Sequence, residues 1–100
     1  MTTIKLSDVK AILRTIERVE NMKSTRGNLV PNQFLLTCEN GEVFQSYNTF
    51  IGAKINGKLY LTSSHAYSVT TSKYCGLWCG MNTAERRKGI ANGSIIFIKD

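Results

Sequence analysis

The chain has 100 residues, 42% of them hydrophobic and 20% charged, with a formal net charge of +6. That length fits one domain spanning 1–100 around a single core, and the balance excludes an intrinsically disordered chain. No apolar run reaches the ~18 residues of a membrane span, and the N-terminus lacks the apolar region of a secretory signal, so an intracellular protein without membrane contact is expected.

Ser7 and Asp8 open a helical pattern, the hydroxyl as a cap and the carboxylate as a complement to the helix dipole. Val9, Ile12, Leu13, Ile16 and Val19 then recur on a 3.6-residue period, which predicts one helix over about 8–22. The polar stretch 21–32, with Gly27 and Pro31, reads as a connecting loop. Asn40-Gly41 and Asn56-Gly57 each lie between β-rich runs, the signature of type I′ hairpin turns. Strands are expected at about 33–38, 42–47, 49–55 and 58–63 in an antiparallel meander. No strong turn stands at Asn48, so the second and third also read as one long bent strand.

Tyr74, Leu77, Trp78 and Met81 fall at i, i+3, i+4 and i+7. They share the buried face of a short helix capped by Thr70, Thr71 or Ser72. Asn82 and Glu85 have capping-box spacing before a helix at about 83–91, and Gly93 suits its exit. The apolar run 94–99 reads as a closing strand at an inner or covered position. The expected fold class is α+β: an N-terminal helix, an antiparallel β-meander of four short strands, two short helices and a C-terminal strand, with the helices on one side of the sheet.

Three clusters carry chemistry. Cys38, Cys75 and Cys79 are an odd number and read as reduced thiols. Cys75 and Cys79 have the spacing of half a zinc site, but only Cys38 and His65 remain for the other half; buried thiols are the preferred reading, with no metal or cofactor. Ser68, Thr70, Thr71, Ser72 and Lys73 lead into a helix. With Asn48 from the strand bend they form a candidate pocket for a small anion such as a nucleotide, against the simpler reading of a capping network. Charge is asymmetric: residues 1–50 hold six basic and five acidic side chains, whereas 51–99 hold Lys54, Lys58, Lys73, Arg86, Arg87, Lys88 and Lys99 against Glu85 alone. This basic surface suits an acidic protein or a nucleic acid. No carboxylate pair or nucleophile–base constellation stands out, and no enzyme activity is expected.

Phe44, Ser46, Tyr47, Asn48 and Thr49, followed by Tyr67, Ser68, Thr70, Thr71, Lys73 and Tyr74, resemble the pattern F-x-S-Y-N-T … Y-S-x-T-T-x-K-Y. A family of small tailed-bacteriophage proteins of unknown function carries that pattern. The resemblance covers about 43–98, with Trp78-Cys79 as a departure from it. It implies a phage or prophage origin and no specific activity. By analogy, the expected role is an accessory protein in the host cytoplasm that docks on a host or host-defence protein as an anti-defence modulator. Nucleic-acid binding and nucleotide binding are the alternatives. The oligomeric state is left open, a homodimer included.

Overall fold

The computed structural model describes residues 1–99. Its elements are β1 (Thr3–Lys5), α1 (Leu6–Ile12), β2 (Ile16–Lys23), β3 (Leu29–Cys38), β4 (Gly41–Ser46), β5 (Thr49–Ile55), β6 (Lys58–Thr62), a 3₁₀ turn (Ser63–Ala66), α2 (Val69–Cys79), α3 (Thr83–Asn92) and β7 (Ile96–Lys99). All seven strands join one sheet in the order β1-β7-β6-β5-β4-β3-β2. β7 is parallel to both β1 and β6, and the remaining pairs are antiparallel. The expected four-strand meander with helices on one side is therefore corrected to a seven-stranded mixed sheet covered on both faces.

Strand alternation divides the core. Val43, Ala53, Ile55, Tyr60 and Ile98 pack with Val9 of α1 on one face. Phe44, Ile51 and Leu61 pack with Tyr74, Cys75 and Trp78 of α2 and Ile90 of α3 on the other. The closing strand takes the inner of its two expected positions, but its neighbours are parallel.

The single helix expected over 8–22 does not form. It stops after Ile12, and Leu13 is already extended. Asn40 holds the break: its Nδ2 donates to Ile12 O at 2.9 Å and its Oδ1 accepts from Arg14 N at 3.0 Å. Arg14 also pairs with Glu39 at 2.9 Å. These long-range bonds turn the chain into β2, which pairs with β3. The loop expected over 21–32 shrinks accordingly, because β3 begins at Leu29. Pro31 falls in the irregular part of the β2–β3 ladder, where its missing N–H costs nothing.

Of the two Asn-Gly turns, Asn56-Gly57 has positive φ at both residues, 51° and 80°, as type I′ requires. The other is corrected. Cys38 pairs with Gly41, so Glu39 and Asn40 make the loop and Gly41 starts β4. Glycine is needed there for close approach, since a Cβ would collide with Lys54 O of β5. β4 and β5 are separate strands, joined through Tyr47, whose φ is 54°.

α2 starts earlier than expected. Ser68 is its cap, accepting from Thr71 N at 3.1 Å. α3 carries both bonds of the capping box, Glu85 N to Asn82 Oδ1 at 2.8 Å and Asn82 N to Glu85 Oε1 at 3.0 Å. Gly93 ends it in the left-handed conformation.

Candidate functional site

Tyr74 and Trp78 turn inward, but Leu77 is 49% exposed. The expected buried stripe is therefore split, and the outer side of α2 is apolar in part. Between α2 and α3 lies an open groove of about 830 Å³. Val69, Lys73, Gly76 and Leu77 of α2, Met81 of the connection, and Thr83, Arg86 and Arg87 of α3 line it. Gly76 keeps the floor low: a Cβ there would press on Met81 O at 3.2 Å and Arg86 Nη1 at 3.3 Å.

Arg86 lies under this floor at 1% exposure. Its expected place on a basic surface is thus corrected. Arg86, Gly89 and Ile90 share the buried face of α3, which turns the guanidinium inward and leaves Arg87 and Lys88 outside. The Arg86 Nε donates to His65 Nδ1 at 3.0 Å. Nη1 donates to Met81 O at 2.7 Å, and Nη2 to Ser72 Oγ at 2.7 Å, Thr83 Oγ1 at 3.1 Å and His65 O at 3.2 Å. No carboxylate pairs with it among the described residues. Neutral oxygens and one imidazole solvate the charge, and they tie the 3₁₀ turn, α2, the connection and α3 to one side chain.

Burial, followed by the charges of Arg86 and Arg87, lowers His65 to about 4. Protonation also removes the lone pair that accepts from Arg86. The unfolded chain takes up this proton first, so the contribution is fully present above about pH 6.5 and is lost as pH falls towards about 4. The expected loss is about 3 kcal/mol across that window. Urea unfolding at stepped pH should show it, and the difference from His65→Gln isolates it from the carboxylates.

The groove has no acidic residue in its lining. Lys73 and Arg87 are exposed and make no salt bridge among the described residues. Lys73 Nζ rests 5.4 Å from the Tyr74 ring. Beside these cations Val69 is 88% exposed. The groove thus combines exposed apolar side chains with two cations that make no salt bridge among the described residues.

The other expected site residues disperse. Thr71 is buried, with Oγ1 2.9 Å from Ser46 Oγ and 3.1 Å from Ser68 Oγ. Ser72 bonds Thr83 Oγ1 at 2.9 Å as well as Arg86. Thr70 is exposed. A pocket of about 400 Å³ does form from Ser46, Thr49, Ser64, Ser68 and Thr71 with Tyr47 and Tyr67, yet neither Lys73 nor Asn48 lines it. Its central hydroxyls bond one another. Asn48 faces instead a cavity of about 540 Å³ shared with Leu6, Leu13 and Leu36 on the α1 side. Lys54 is half-buried, donating to Trp78 O at 2.7 Å and lying 3.6 Å from Glu42. Lys58, Lys88 and Lys99 are exposed but do not line the groove.

Cys38 is separated from the other two thiols. Cys38 opens on the α1 side and Cys75 is buried under α2. One helical turn away, the Cys75 thiol draws Cys79 below the ordinary thiol range, while the same contact and burial push Cys75 up. Among the described residues no three His, Cys, Asp or Glu side chains converge as a metal site.

Sequence reasoning weighed His65 only as a metal ligand and missed both its bond from Arg86 and the inward turn of that arginine. Gly89 and Ile90, one helical turn beyond Arg86, were the available signal. A family model described as Family of unknown function (DUF8033) matches residues 18–93, from within β2 to the exit of α3. The match extends further towards the N-terminus than the phage-protein resemblance and includes the whole groove. No curated protein and no solved structure matches.

Proposed function

The chain belongs to the DUF8033 family of unknown function, and we propose that it is a binding protein whose α2–α3 groove docks an acidic, amphipathic segment of a protein partner. One observation carries this reading: exposed Val69 and Leu77 line the same groove as the exposed cations Lys73 and Arg87, and that lining has no acidic residue. The exposed apolar side chains favour a partner with apolar side chains of its own, which exclude water at the contact. The free cations select carboxylates and steer the encounter. A nucleic-acid backbone would use the cations and leave Val69 and Leu77 unmatched. The role is non-catalytic. In keeping with the phage-protein resemblance, the partner we propose is a host or host-defence protein in the bacterial cytoplasm.

Capture from bacterial lysate, with and without nuclease, tests the proposal against Leu77→Asp and the Lys73→Glu/Arg87→Glu pair. The expected result is a protein held by the wild type through nuclease treatment. Leu77→Asp should weaken that complex by about tenfold or more, the cost of a truncated anchor in an interface. Retention of the same partner by both variants, or loss of all binding on nuclease treatment, overturns it.

A further inference from the structure

The two sheet edges differ. β1 is three residues long, whereas β2 is eight residues long and ends the sheet. Residues Ile16 to Glu20 are all exposed. Such an edge carries unpaired backbone donors and acceptors that another strand can complete. We propose that β2 pairs antiparallel with β2 of a second copy, on a two-fold axis through Val19.

The side chains select that register. Arg18 and Glu20 lie opposite Thr37 and Leu35 of β3, and Val19 lies opposite Leu36. Arg18 and Glu20 therefore share the α2 face and Val19 the α1 face. With the axis at Val19, Arg18 faces Glu20 of the second copy, and Glu20 faces Arg18. Moving the axis to Arg18 opposes arginine to arginine, and moving it to Glu20 opposes glutamate to glutamate. A half-residue shift would oppose side chains from different faces, which a two-fold axis normal to the sheet does not allow. Charges that would otherwise protect an edge thus act as a register key.

Within one chain Arg18 Nη2 reaches Glu20 Oε1 at 3.2 Å, with both side chains exposed. Residues two apart on a strand are separated by ~6.8 Å, whereas directly opposed residues are ~5 Å apart, so pairing across the axis shortens the reach. On the other face Val19 meets its counterpart, and the 59% exposure of Val19 and 52% of Ile16 shrink together. The β2–β3 register shifts beyond Arg18 and beyond Asn21, which confines the regular ladder to the residues around the axis. A two-fold contact is closed, so association stops at the dimer. This edge shares no residue with the groove lining, so the two proposals fail independently.

Sedimentation velocity of the full chain over a concentration series tests the dimer. The wild type should dimerise. Arg18→Glu and Glu20→Arg should each raise the dimer dissociation constant by about tenfold, because each opposes like charges twice. The Arg18→Glu/Glu20→Arg double swap should restore the wild-type constant, with circular dichroism showing every variant folded. A wild type that stays monomeric overturns the proposal, including one that captures only a foreign strand. Single variants that dimerise like the wild type overturn it equally.

Discussion

Arg86→Ala is expected to lower the unfolding free energy by about 4 kcal/mol. The guanidinium serves five acceptors: His65 Nδ1, His65 O, Met81 O, Ser72 Oγ and Thr83 Oγ1. An acceptor left buried and unpaired costs about 1–3 kcal/mol. Water entering from the open groove recovers part of this, so the total stays below the simple sum. Arg86→Lys should fall between, because an ammonium keeps the charge without the planar fork that spans these elements. Urea denaturation reads the change, and a loss under about 1 kcal/mol for Arg86→Ala contradicts the pinning role.

Trp78→Ala is expected to cost about 4 kcal/mol, near 20 °C in Tm for a domain of this size. The ring lies 5.7 Å from Phe44 between their centroids, and Nε1 donates to Glu42 Oε1 at 2.8 Å. Lys54 Nζ stands 4.9 Å from the same ring while donating to Trp78 O at the end of α2. One side chain thus joins α2 to β4 and β5 through packing, a hydrogen bond and a cation–π contact. Trp78→Phe retains most of the packing and strips Glu42 of its donor, for a smaller expected loss of about 1–2 kcal/mol. Thermal melts followed by circular dichroism distinguish the two. Equal losses from both variants would place the stability in the Glu42 bond and not in ring packing.

Local chemistry made the C-terminal half legible. Asn82, Glu85 and Gly93 announce the ends of α3 through their own side-chain and backbone preferences, and these operate whatever surrounds them. Asn56-Gly57 is equally local. The N-terminal half depends on distant partners. Val9 to Val19 satisfy a helical period, but Ile16 and Val19 are also β-branched residues that suit a strand, and only Asn40 and β3 decide between them. β1 is too short to show a period, and it is a strand only because β7 lies beside it. The parallel pairings rest on the chain returning after two helices, which no local pattern records.

The site was legible in part for the same reason. Lys73 and Arg87 carry their charge wherever they stand, and both line the groove. Arg86 carries the same charge in the same run, and its burial is set by the partners that await it on three other segments. Asn48 was expected beside Thr70 and Thr71. The β4–β5 turn carries it to the α1 side, while Ser46, two residues earlier, takes the place beside Thr71.

A photo-reactive phenylalanine analogue at Leu77, compared with the same group at Asn56 on the β5–β6 turn, probes the groove most directly. A protein adduct is expected from position 77 alone when the labelled chain is irradiated in bacterial lysate, with the crosslinked peptide of the partner rich in Asp and Glu. An adduct to nucleic acid, adducts of equal yield at both positions, or none at position 77 contradicts it.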